Sequence, residues 1–163
     1  DGNPQSLASS ISRINKYKTL ITNFKHKRYM EISFLPGLQK AYLPLIVSSG
    51  ELKNWCFLID TGSTHNIIFS YVYEYFKEQF KVLEDATDIM GIEGNKKEVS
   101  AVEGTFQFGD TEYTSQFCIF DATDAMTQVY EESGIQICGI LGITFLIENH
   151  LKIDFGKYVL TDN

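Results

Sequence analysis

The sequence predicts an all-β-dominated domain with two or three short helices. The apolar residues fall mostly in short stretches, and Gly-, Ser-, Asn- or Asp-containing turns bound them. Few stretches carry helical spacing, and no repeat or low-complexity tract interrupts the pattern. Short strands joined by tight turns bury their apolar faces in a closed or sandwich-like arrangement. With 163 residues, 44% of them apolar, the chain suffices for one domain with a sizeable core.

In order, residues 1 to about 12 are polar and Ser-rich and read as a loose terminus. From Ile11 to Tyr29 the apolar spacing is only partly helical, and Lys16, Lys18, Lys25, Lys27 and Arg28 make this the one basic segment. Its plainest reading is a solvated or interface face; an acidic partner or a pro-segment is the sharper one. Tyr29 to Phe34 alternates as a strand does, and Pro36-Gly37 is a turn signal. The division expected is an N-terminal extension, partly helical or loose, over 1–35 and the main domain over 36–163.

Ala41 to Val47 and Asn54 to Ile59 read as a hairpin across Ser48-Ser49-Gly50-Glu51. Ser70 is placed to cap a helix from Tyr71 to about Phe80, with Val72, Tyr75, Phe76 and Phe80 toward the core. Ala86 to Ile92 and Lys97 to Phe108 flank the Gly-rich run Gly91-Ile92-Glu93-Gly94-Asn95, a plausible hairpin tip. Thr105 to Phe108 and Glu112 to Phe120 form a second hairpin around Gly109-Asp110. A short helix from Asp124 to Glu132 follows, with Asp121 or Thr123 as cap and Gly134 as stop. Ile135 to Leu141 is an apolar strand, Thr144 to His150 a short helix, and Leu151 to Leu160 a final hairpin.

Formal charge is −7, which argues against nucleic acid as the main partner. No window is apolar for the ~18–20 residues of a membrane span. The chain begins Asp1-Gly2 rather than Met. That start suggests an upstream segment was removed and leaves the compartment open, an extracytoplasmic one, secreted or periplasmic, being the reading the missing Met favours. Cys56, Cys118 and Cys138 are widely spaced, with no C-x-x-C pair, so they read as small buried thiols rather than a zinc site or disulfide scaffold. His26, His65 and His150 share no helical face and read as surface residues. Nucleophile-elbow, P-loop and zincin motifs are absent.

What stands out is Leu58-Ile59-Asp60-Thr61-Gly62-Ser63-Thr64, where an apolar run drives a carboxylate into a turn of hydroxyls and amides. A buried Asp requires such partners. The bland alternative is a turn Asp bonding its own backbone. About eighty residues on lies Gly139-Ile140-Leu141-Gly142-Ile143-Thr144-Phe145-Leu146.

The two landmarks, in this order and with a Gly-rich hairpin between, resemble the retropepsin-like (retroviral-type) aspartyl proteases, in particular their bacterial members, from about Tyr42 to Leu160. The resemblance implies an acid-protease fold, a closed β-barrel, acting as an aspartic endopeptidase. Asp60 would be the catalytic carboxylate, and Thr61 would link two subunits beneath it. Gly62 would let a substrate backbone approach, and Ser63 would hydrogen-bond the Asp60 carboxylate. Gly91, Ile92, Glu93, Gly94 and Asn95 would form the flap over a bound peptide. Gly139, Ile140, Leu141 and Gly142 would form the second glycine loop, behind the catalytic one. Phe145-Leu146 and Ile153-Asp154-Phe155 continue the bacterial pattern. Cys138 and Thr144 depart from it: bacterial members often carry Asp at both, and retroviral members Arg then Asn where Ile143 and Thr144 stand.

Peptide hydrolysis of this kind needs two carboxylates sharing a proton. With one Asp-Thr-Gly in the chain, the second comes from a homodimer with an Asp60 from each subunit. The chain stops three residues after Leu160, so its dimer differs from the retroviral one with interleaved terminal strands, and residues 1–40 are the expected contact. The expected partners are a peptide or protein substrate and a second copy, with no nucleic acid, no membrane span, no metal and no other cofactor. The rival reading is a catalytically silent module of the same fold that binds peptides or partners. In a third, the basic N-terminal segment inhibits or anchors an active enzyme.

Overall fold

The computed structural model describes residues 31–33, 42–84, 87–90 and 96–162. Strands dominate. The twelve strands among the described residues are β1 (Glu31–Ser33), β2 (Leu45–Val47), β3 (Cys56–Asp60), β4 (Ile67–Phe69), β5 (Phe80–Val82), β6 (Thr87–Met90), β7 (Lys96–Val99), β8 (Ala101–Phe108), β9 (Thr111–Phe120), β10 (Ile137–Gly142), β11 (Lys152–Asp154) and β12 (Val159–Thr161). The three α-helices among the described residues are α1 (Ser70–Tyr75), α2 (Thr123–Ser133) and α3 (Ile143–Glu148).

The main sheet is mixed and seven-stranded, in the order β2-β3-β10-β4-β9-β8-β5. Its centre is the parallel pair β3–β10, registered Leu58 to Ile140 and Asp60 to Gly142, with β4 antiparallel on the far side of β10. The closed barrel expected from the resemblance is not found among the described residues. β2 and β5 are the edges, and a single bridge from Ser49 to Gln107 is as near as the sheet comes to closing. The physical reason lies in β2 and β8. β2 ends after three residues, at the Ser48–Asn54 turn, and β5 already occupies the outer edge of β8 from Val102 to Gly104.

Strand alternation sorts the central strands into two faces. Ile46, Phe57, Ile59, Ile68 and Leu141 face the core and are buried. Phe57 meets Phe106 edge-on at 4.8 Å, Phe106 meets Phe117 at 5.5 Å, and Phe108 and Tyr113 lead on to Phe145 of α3. Leu58 and Asp60 of β3, and Cys138 and Ile140 of β10, are only half-buried. The face bearing Leu58 and Asp60 is the less buried of the two, although Leu45 and Cys56 on it are buried.

The hairpin around Gly109 forms as expected, with Gly109 at φ 59°. So does the final hairpin, where the Asp154 carboxylate accepts from the Gly156 and Lys157 N–H groups, the role of a turn residue. The helix expected to Phe80 instead stops at Tyr75, a 3-10 turn spans Lys77–Gln79, and Phe80 opens β5 against Gly104. Tyr75 consequently points outward, 87% exposed, while Val72 is buried. Ser70 does not cap this helix, because β4 runs straight into it through Phe69. Asp121 accepts from the N–H and hydroxyl of Thr123, but the cap position is Ala122.

β6 and β7 pair from Thr87–Val99 to Met90–Lys96, as arms of a hairpin. Gly91–Asn95 lie outside the described residues, as do the basic segment and the Pro36-Gly37 turn. β1 pairs with β12, which pairs with β11, in a separate three-stranded sheet. The end of the segment expected as an extension thus joins the chain's last strand. No helix among the described residues is long and apolar enough to cross a membrane.

Candidate active site

β3 delivers Asp60 to the point where the strand turns. The apolar residues Phe57 to Ile59 hold the strand in the sheet, and Thr61-Gly62 breaks it. The Ser63 N–H donates to the Asp60 carbonyl at 3.1 Å, closing the turn. The Gly62 N–H donates to Asp60 Oδ1 at 2.8 Å. This bond is the one a turn Asp makes with its own backbone. It is also a charge-assisted bond that fixes the carboxylate. Among the described residues no second carboxylate pairs with Asp60.

Gly139–Gly142 leads into residues that bond this loop. The Ile143 N–H donates to the Ser63 carbonyl at 2.8 Å, and the Thr144 hydroxyl donates to the Thr64 carbonyl. A Cβ on Gly142 would stand 2.6 Å from the carbonyl oxygens of both Ser63 and His65, closer than carbon and oxygen tolerate. The glycine is what lets β10 and the loop touch. Thr144 departs from the bacterial pattern but braces the loop with its hydroxyl.

Ser63 does not bond the Asp60 carboxylate. Its hydroxyl donates to the His65 carbonyl at 2.7 Å. Its backbone is fixed at both ends by Asp60 and Ile143, which turns the side chain toward residue 65 rather than back to residue 60. Thr61 is exposed and borders an open groove between α3 and β11, with Ile143, Leu146, Ile147 and Ile153 on its walls.

Asn66 was not singled out from sequence. It is 5% exposed. Its Oδ1 accepts the Gly142 N–H at 2.9 Å and its Nδ2 donates to the Gln116 carbonyl at 3.0 Å. One amide thereby ties the loop, β10 and β9 together. The signal in the sequence was a lone amide immediately before the apolar run Ile67-Ile68-Phe69.

At the other end of β3 and β10 lie two thiols and a phenol. Burial pushes the Cys56 thiol up to about 12, with Cys138 adding to it. Burial likewise raises Cys138, partly offset by a hydrogen bond from the Cys56 backbone. The Tyr71 phenol is raised by burial and by both thiols, and its hydroxyl donates to the Ile137 carbonyl. Such thiols are poor nucleophiles. No cluster of metal-ligating side chains occurs among the described residues. No protein-family model matches the chain, and no curated protein sequence matches it.

Proposed function

We propose that the chain is an aspartic endopeptidase whose dyad is Asp60 from each subunit of a homodimer, within a retropepsin-like fold. The observation that carries the reading is the clamped loop. Asp60, half-buried, ends a central strand, Gly62 fixes its carboxylate, and Gly142 to Thr144 pin the loop from behind.

Two carboxylates about 3 Å apart cannot both ionise, so the pair shares one proton. The ionised member takes a proton from a water between them, and that water attacks the scissile carbonyl. The protonated member gives its proton to the carbonyl oxygen. The substrate lies extended and hydrogen-bonds as an added strand, covered by the hairpin whose arms are β6 and β7. The groove beside Thr61 supports a second copy at this edge, because Ile147 stands 66% exposed beside it. β1 already occupies one edge of β12, which speaks against an interleaved terminal sheet.

The Asp60–Gly62 bond equally suits a turn residue, and this favours one alternative, a silent peptide-binding module. Cleavage of an unbiased peptide mixture from acid to neutral pH, by wild type and Asp60→Asn, separates the two. The endopeptidase loses about 10²–10⁴-fold in rate with Asn. No cleavage by either protein selects the module, and equal cleavage by both sinks the mechanism.

A further inference from the structure

The sheet sorts the three cysteines of the chain into a pair and a single residue. Cys56 opens β3 and Cys138 is second in β10, on adjacent parallel strands. Their ladder is irregular at this point. Ile137 pairs with Cys56 and Gly139 with Phe57, so Cys138 is the extra residue of a bulge. In a bulge two residues of one strand oppose one of the other, which sets Cys138, with Ile137, against Cys56. The Cys56 N–H donates to the Cys138 sulfur, and both thiols act on the Tyr71 phenol. Cys118 stands apart on β9, with β4 between it and β10.

We propose that Cys56 and Cys138 close a reversible disulfide that latches β3 to β10 under oxidising conditions. Neighbouring strands lie ~4.8 Å apart, and a disulfide takes Cα atoms about 4.4–6.8 Å apart. An opposed pair on adjacent strands falls within that span. Cys118, two strands from Cys138, is roughly 10 Å away and falls outside it. The latch does not depend on any activity of Asp60.

The two thiols differ in access, Cys138 being half-buried and Cys56 buried, and this orders the chemistry. With glutathione disulfide as oxidant, Cys138 gives up its proton and its sulfur attacks one sulfur of the disulfide. A bond from Cys138 to glutathione forms, the glutathione S–S bond breaks, and the departing thiolate takes up a proton. Cys56 then loses its proton and attacks the Cys138 sulfur, expelling the second glutathione. Two protein thiols are oxidised, and one glutathione disulfide is reduced to two thiols. Burial keeps both protein thiols protonated, so the first step is slow and the latch sets under sustained oxidation. Once set, it closes a loop of about eighty residues, and so long a loop restricts the unfolded chain far more than the folded one. It also ties the strand that ends at Asp60 to the strand that ends at Gly142.

The full chain, still folded, is brought to equilibrium with glutathione disulfide or with reduced glutathione. It is then quenched with acid and alkylated with iodoacetamide in denaturant. Intact mass and peptide maps are read. Oxidised wild type should lose two hydrogens, keep a single alkylated cysteine, Cys118, and yield a peptide that joins positions 56 and 138. Cys118→Ala should form the same link, whereas Cys56→Ala and Cys138→Ala should not. The oxidised protein should show a higher urea midpoint than the reduced one, and the difference should vanish in Cys138→Ala. If Cys56→Ala does not fold, Cys138→Ala at its half-buried position and Cys118→Ala decide the matter between them. Three alkylated cysteines at equilibrium, a lasting glutathione adduct on Cys138, or a link through Cys118 overturns the pairing. A link between 56 and 138 that leaves the urea midpoint unchanged, or lowers it, overturns the latch.

Discussion

A single amide, Asn66, bridges Gly142 and the Gln116 carbonyl in the protein interior. Asn66→Ala leaves a buried N–H and a buried carbonyl unpaired, and the expected loss is about 2–3 kcal/mol in urea denaturation. Asn66→Asp keeps an acceptor for Gly142 but sets an oxygen against the Gln116 carbonyl, so it should rescue little. Gly142→Ala drives a methyl between two backbone carbonyls and should cost about 1–3 kcal/mol. If the chain cleaves peptides as proposed, cleavage should in both cases fall further than stability, because the displaced element is the Asp60 loop; equal falls would mean the loop moves independently. The residues of this site were unequally legible. Asp60, Gly139 and Gly142 lie in a recognisable spacing, and Gly142 meets a steric demand that only glycine satisfies. Asn66 and the hydroxyl of Thr144 act on backbone carbonyls brought near by the fold, which no local pattern reports. Ser63 was assigned to the wrong acceptor because the direction of its side chain depends on bonds to residue 143.

The far ends of β3 and β10 hold Cys56 and Cys138, with the Tyr71 hydroxyl on the Ile137 carbonyl. The sign of their pH effect follows from burial. In the unfolded chain a thiol ionises near its ordinary value of 9.0, whereas folded Cys56 keeps its proton up to about 12. Its contribution is intact below about pH 9 and is lost as pH rises toward 12. Cys138 and Tyr71 are raised too and act in the same direction. The urea midpoint should therefore drop through this range, by on the order of 1 kcal/mol per pH unit at most from Cys56. Cys56→Ala should start lower at neutral pH yet decline less steeply; an unchanged slope would place the alkaline loss elsewhere. Elements themselves were well foreshadowed where apolar runs end in turn residues, as at Gly109, at Gly134 with φ 69°, and in the β2–β3 hairpin. The α1 region misled because its aromatic residues satisfy helical spacing up to Phe80, while Phe80 gains more by pairing with Gly104 and packing on Phe106.

For the whole molecule, the decisive quantity is how many chains make one site. Each chain has one Asp-Thr-Gly, and among the described residues Asp60 has no carboxylate partner. If the dyad is shared, activity per mole must fall on dilution as dimers dissociate. A sharper reading comes from mixing. Wild type and Asp60→Asn, combined in equal amounts and allowed to exchange subunits, leave about one quarter of the dimers with two intact carboxylates. Activity per mole of total protein should then settle near one quarter of the wild-type value, reached at the rate of subunit exchange. A site complete within one chain would give about one half at once, with no approach phase. Substitution in the groove beside Thr61 links this to a surface. Ile147→Asp places a charge on an exposed apolar position and leaves the fold of the monomer nearly untouched. A desolvated, unpaired charge at an interface is costly. Sedimentation should therefore show monomer, with cleavage lost in parallel and recovered at high protein concentration. An Ile147→Asp protein that stays fully active at the lowest concentration assayed would move the second carboxylate, and the dimer contact, away from this groove.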